Sequence, residues 1–167
     1  TGICFIGERP FPEFVASYLS GQEGNIINEN SDVIGIHQGL VFYTLGQRQG
    51  LGIGGVKGSP DLPWYVAKKN LKTNELLCVQ GNDHPLLFSK ELSTKNLFKL
   101  EDSLPVSFEG TAKVRYRQED QECEINVEDN ALNIKFHKPQ RSVTPGQSVV
   151  IYKNDKCLGG GEICTIN

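Results

Sequence analysis

Apolar residues follow two rhythms along this chain, and the change from one to the other comes early. Phe11, Phe14, Val15, Tyr18 and Leu19 recur at helical spacing, which gathers their side chains into one buried stripe. Pro10 and Pro12 stiffen the entry to this segment, Glu13 sits where a helix dipole favours an anion, and Gly21 follows its end. The spacing predicts one amphipathic helix. No later segment shows a comparable pattern.

Beyond Gly24 short apolar runs are separated by turn residues, the signature of strands. Asn25–Asn28 and Val33–His37 flank an Asn-Ser-Asp turn and read as a hairpin, while Trp64–Lys68 and Glu75–Gln80 surround a Lys-Thr-Asn turn. Between these pairs, Gly39–Gly55 is glycine-rich and irregular, and its apolar segment LVFYTL fits a strand or a helical turn. A break in composition at Asn82-Asp83-His84-Pro85 predicts a boundary between residues 1–81 and residues 82–167. From Leu87 onward the reading is almost pure β, with strands expected at Ser93–Leu100, Gly110–Gln118, Glu122–Glu128, Leu132–His137, Ser148–Tyr152 and Glu162–Ile166. Short strands in this number suit a closed barrel better than an open sheet with bare edges. The expected fold is therefore mainly β, of the α+β kind. A small first domain carries one amphipathic helix and short antiparallel strands, and a six-stranded C-terminal β-barrel follows it.

Composition narrows the function classes. Of 167 residues, 38% are hydrophobic and 22% charged, and the net charge is −3. No global positive field draws in a polyanion, so any nucleic-acid contact must come from a local patch. No apolar run approaches the roughly 20 residues that span a bilayer, and no signal-peptide pattern precedes Gly2, so no membrane partner is expected. Cys4, Cys78, Cys123, Cys157 and Cys164 are odd in number and widely spaced. That usage suits a reducing compartment, and a cytoplasmic protein is expected.

Candidate chemistry lies in two places. The first is TGICFIGER at Thr1–Arg9, where Cys4 sits in a glycine-flanked segment and Arg9 can favour its thiolate, the form that nucleophilic sulfur chemistry requires. A reactive cysteine with so little chain before it, in a sequence without methionine, suggests part of a longer catalytic protein. From spacing alone Cys4 also reads as a small core hydrophobe, and His37 as its general base or as a structural histidine. The other cysteines read as core, and none has a close-spaced Cys or His partner of the zinc type, so no metal site is expected. The second place is TAKVRYRQ, Thr111–Gln118. A period of two puts Lys113, Arg115 and Arg117 on one strand face and Val114, Tyr116 and Gln118 on the other. That is either a phosphate-tracking ladder or a solvated face balanced by Glu119, Asp120 and Glu122. GLGIGG, Gly50–Gly55, lacks the Lys-Ser/Thr of a phosphate loop and reads as a connector or a close backbone contact.

TGICFIGER, HQGLVFYTLGQRQGLGIGG, PWYVAKK, RYRQ, SVTPGQSVVIY and CLGGGEI, in this order, closely resemble the tRNA-specific 2-thiouridylase family from Thr1 to about Ile163. The resemblance implies the central and C-terminal parts of such an enzyme, without its N-terminal ATP-pyrophosphatase domain. It implies an activity in which ATP adenylates the C2 oxygen of the wobble uridine in tRNAs for lysine, glutamate and glutamine. A cysteine persulfide then delivers sulfur to C2. Cys4 maps onto the persulfide carrier. A second cysteine, which attacks the persulfide or forms a disulfide with the carrier, belongs to the absent domain. Arg115, Tyr116 and Gln147 map onto tRNA contacts, with Lys113 and Arg117 as auxiliary phosphate contacts from face geometry. The anticodon arm of tRNA and a sulfur-relay protein or cysteine desulfurase are the implied partners. ATP would be bound by the absent domain, so these residues alone are expected to be inactive in thiolation. A stand-alone RNA-binding module and a Cys4–His37 thiol hydrolase are the alternative readings.

Overall fold

A computed structural model describes residues 21–56, 58 and 60–167. The chain divides into two compact units, the first ending at Leu87 and the second beginning at Phe88.

The first unit is built on a four-stranded sheet: β1 (Gly24–Ile27), β2 (Val33–His37), β3 (Trp64–Asn70) and β4 (Glu75–Gln80), in the order β2-β1-β4-β3. The β1–β2 hairpin forms because Asn28 Oδ1 accepts the backbone N–H groups of Asn30 at 2.9 Å and Asp32 at 2.8 Å, a turn closed by its own side chain. Ile26, Val66, Leu76 and Cys78 supply a core that Leu40, Tyr43 and Leu51 complete. Leu40–Phe42, within the LVFYTL segment, is a short 3₁₀ turn.

The second unit is a closed barrel of β5 (Phe88–Lys99), β6 (Ser107–Lys113), β7 (Gln121–Glu128), β8 (Ala131–Arg141), β9 (Ser148–Lys153) and β10 (Lys156–Ile166), in the order β10-β5-β8-β7-β6-β9. Its filling follows the two-residue period: Cys123 and Ile125 on β7, Leu132, Ile134 and Phe136 on β8, and Val149 and Ile151 on β9 are buried. Closure depends on CLGGGEI. A Cβ on Gly159, whose φ is +145°, would lie 2.1 Å from Phe98 O, and one on Gly160 would lie 2.3 Å from Val149 O. Only glycine lets β10 press its backbone between β5 and β9.

Three expectations change. The fold is not α+β among the described residues: their only helical elements are the 3₁₀ turns Leu40–Phe42 and Pro85–Leu87. The amphipathic helix expected from Pro10 to Leu19 lies outside the described residues. Nor are the strands of the first unit all antiparallel, because β1 runs parallel to β4, with Ile26 opposite Leu76. An apolar run does not record the direction of its neighbour. Finally, the strand expected over Gly110–Gln118 is β6, which begins earlier and ends at Lys113. The chain turns there because Gln118 N–H donates to Arg115 O at 3.1 Å. No helix of the described residues is long and apolar enough to cross a membrane.

Candidate nucleic-acid interface

Barrel topology brings two sequence-distant segments to one end. β6 pairs with β9, Lys113 facing Val150, so the turn that leaves β6 lies beside the loop that enters β9. The turn is Val114–Gln118 and the loop is Ser142–Gln147. Arg115 Nη2 donates to Ser142 O at 3.3 Å, and Thr144 Oγ1 donates to the same carbonyl at 3.0 Å. Ser142 O is the joint between the two segments.

The loop is rigid for local reasons. Thr144-Pro145-Gly146-Gln147 is a turn with Gly146 at φ +86° and Gln147 N–H donating to Thr144 O at 3.2 Å, the arrangement in which Pro-Gly is favoured. Two 2.8 Å bonds, Gly146 N–H to Ile163 O and Ile163 N–H to Gln147 O, fasten it to β10. Ser142 itself has φ +54° and a buried hydroxyl oxygen with no hydrogen-bond partner. Such backbone tension is kept only where neighbours over-determine it.

The expected contact residues differ in their surroundings. Tyr116 is 95% exposed at the tip of the turn, with Arg115 and Arg117 exposed on either side, and Gln147 is exposed at the end of the neighbouring loop. Lys113 is held by Asp120, Nζ to Oδ1 at 2.7 Å, and that bonded carboxylate keeps its ammonium above the usual lysine range. Lys113, Arg115 and Arg117 therefore form no ladder, since only Lys113 lies on the strand. Cys4 lies outside the described residues.

The remaining candidates sort by their partners. His37 is fully buried, accepts Gly39 N–H on Nδ1 at 3.0 Å and lies 3.1 Å from Asn74 O through Nε2. Both ring nitrogens serve the fold. Burial pushes the Cys78 thiol up to about 12, and burial together with the Glu109 carboxylate does the same to Cys123. Cys164 departs from the expected core placement: it is exposed, with Sγ 3.3 Å from Ser93 O. Its position follows from the irregular pairing of β10 with β5 between Ile163 and Thr165. Among the described residues no group of His, Cys, Asp or Glu is arranged to hold a metal ion.

GLGIGG lines a cavity of about 620 Å³ with Arg48, Trp64 and Gln80 in the first unit. Among the described residues it leads into no helix, and it lacks the adjacent Lys-Ser/Thr pair of a phosphate loop. No ATP chemistry is assigned to the described residues.

The strand pattern missed Gln118, Gln140, Ser142 and Thr144. One signal was present for Gln140: it stands in phase with Leu132, Ile134 and Phe136, where an apolar residue would be expected.

Comparison with known proteins fits this architecture. Residues 12–80 match the tRNA methyl transferase PRC-barrel domain, and residues 89–163 match the aminomethyltransferase beta-barrel domain. The chain is 56% identical over 165 residues to the tRNA-specific 2-thiouridylase MnmA of Francisella tularensis subsp. tularensis (strain WY96-3418), covering 98% of this chain and 46% of that protein. Identity and coverage are the same for the protein of that name from Francisella tularensis subsp. novicida (strain U112). The chain belongs to the tRNA-specific 2-thiouridylase family and corresponds to its central and C-terminal domains. It spans about half the length of the curated relatives it matches.

Proposed function

We propose that this chain grips tRNA at one end of its barrel and carries, on Cys4, the sulfur that becomes the 2-thio group of a wobble uridine. The observation that carries the RNA part is the junction at Ser142 O. It supports a surface in which Arg115, Tyr116 and Gln147, distant in sequence, act together. The chemistry of that surface suits a single-stranded loop. A guanidinium pairs with phosphate, an exposed aromatic ring stacks on an unpaired base, and an amide hydrogen-bonds a base edge. Arg117 adds a second exposed cation, whereas Lys113 contributes less because Asp120 already neutralises it.

The sulfur part rests on TGICFIGER. A thiolate at Cys4 attacks the outer sulfur of a donor persulfide and becomes a persulfide itself as the donor's sulfur–sulfur bond breaks and its thiolate leaves, and Arg9, a cation near Cys4 in sequence, favours the attacking thiolate. In this reading the substrates are the anticodon arms of tRNAs for lysine, glutamate and glutamine. The donor is a sulfur-relay protein or a cysteine desulfurase, and the setting is cytoplasmic.

Binding of an unmodified lysine tRNA transcript, measured against salt, tests the first part. Arg115→Glu is expected to weaken binding at least tenfold and to flatten the salt dependence, because fewer counterions are released. An unchanged slope would remove Arg115 from the surface. Incubation with a cysteine desulfurase and cysteine tests the second. Intact mass should show one added sulfur atom on the wild-type chain and none on Cys4→Ser. If neither chain gains sulfur while both bind tRNA, an RNA-binding module alone remains.

A further inference from the structure

Glutamine side chains join end to end behind the turn that carries Arg115 and Tyr116. Gln118 Oε1 accepts the Val114 N–H at 3.0 Å, and Gln118 Nε2 donates to Gln140 Oε1 at 2.7 Å. Gln140 Nε2 donates in turn to Gln121 Oε1 at 3.1 Å and to Lys138 O at 2.8 Å. An amide can ordinarily be turned over with little change of shape. Here its direction is fixed from both ends. The Val114 N–H can only donate, which turns the Gln118 oxygen toward it. The Lys138 carbonyl can only accept, which turns the Gln140 nitrogen toward it. The bond between the two glutamines then has a single polarity, and the observed one satisfies it.

We infer that Gln118 and Gln140 are positioning residues for RNA recognition, holding the Arg115–Tyr116 turn in register with the Ser142–Gln147 loop. This rests on the reading of that barrel end as the tRNA contact. Val114 lies just past the end of β6, and its N–H is taken by Gln118. Gln118 closes the turn twice, by its backbone N–H to Arg115 O at 3.1 Å and by its side chain. Gln140 lies two residues before Ser142, whose carbonyl receives Arg115. One amide pair thus braces both halves of the surface. Gln140 is 4% exposed, so water cannot readily replace a lost partner. Without the brace, binding would have to order the turn, and that ordering opposes affinity.

The test compares the wild-type chain with Arg115→Ala, Gln118→Leu and the double variant, using an unmodified lysine tRNA transcript across a range of salt. Arg115→Ala is expected to lose about tenfold in affinity and about one unit of salt slope. Gln118→Leu should lose about as much affinity although it removes no charge, and the double variant should bind little worse than either single one. Gln140→Met, which keeps the buried volume, should reproduce the loss and serves if Gln118→Leu folds poorly. Hydrogen exchange should show the Val114 amide deprotected in both glutamine variants, with the β6 and β7 amides unchanged. Wild-type binding by both glutamine variants, or a fully additive double variant, with Arg115→Ala still impaired, would overturn the positioning role alone. If Arg115→Ala leaves affinity and slope at wild-type values, the tRNA reading of this surface fails and the inference falls with it.

Discussion

The two units put their most conspicuous polar side chains to different uses. The sheet unit buries His37 completely and gives each ring nitrogen a backbone partner, Gly39 N–H on one side and Asn74 O on the other. The barrel also buries Thr94, Gln140 and Ser142, but at one end it leaves an arginine and a tyrosine exposed. Arg115 offers several N–H donors, and Ser142 O occupies one position on its exposed guanidinium. Tyr116 stands almost wholly in solvent. The contrast teaches that residue type alone does not mark a site. A histidine whose hydrogen bonds are all internal is part of the scaffold, whereas a cation and an aromatic with bonding capacity to spare are available to a partner.

Damage to each unit separately should have separate consequences. Phe136→Ala, in the fully packed barrel, should cost about 3–5 kcal/mol. Hydrogen exchange should show the β7 and β8 amides losing protection. His37→Leu leaves the Gly39 N–H and the Asn74 carbonyl without their partner, a loss of about 2–3 kcal/mol in denaturant unfolding. Its tRNA affinity should stay within about twofold of wild type, well below the tenfold step of 1.4 kcal/mol. A large loss of affinity in a folded His37→Leu chain would end the scaffold assignment.

Tyr116→Ala reverses that pattern. Thermal unfolding should not move, because the ring is exposed, while binding of unmodified tRNA should weaken by about 1–3 kcal/mol through lost stacking. Equal affinities for the two chains would remove Tyr116 from the surface.

The thiols offer a test of both units at once, because Cys78 and Cys123 place one buried sulfur in each. Folding raises both from an ordinary 9.0 to about 12, so above pH 9 the unfolded chain ionises these thiols first. Their contribution to stability is complete below pH 9 and is lost as pH rises toward about 12. Denaturant midpoints should fall over that window, and Cys123→Ala should shrink the fall at the cost of a uniform loss from the cavity. Among the cysteines of the described residues, Cys164 should react first with a thiol reagent, Cys157 next, and the buried pair only on unfolding.

Local pattern determined much of this protein. Alternation along β7 and β8 marked their inward residues, Asn30-Ser31-Asp32 marked the turn between β1 and β2, and the ordered motifs from TGICFIGER to CLGGGEI marked the family. These features are legible because one-sided burial and turn geometry depend on residues a few positions apart. The structure alone decided that β1 pairs in parallel with β4, that β6 stops at Lys113, and that Asp120 holds Lys113. It also decided that Arg115 meets Ser142 and that Gln118 meets Gln140. Those partners lie 27 and 22 positions apart in the chain. Their meeting follows from closure of the barrel, which no local period encodes.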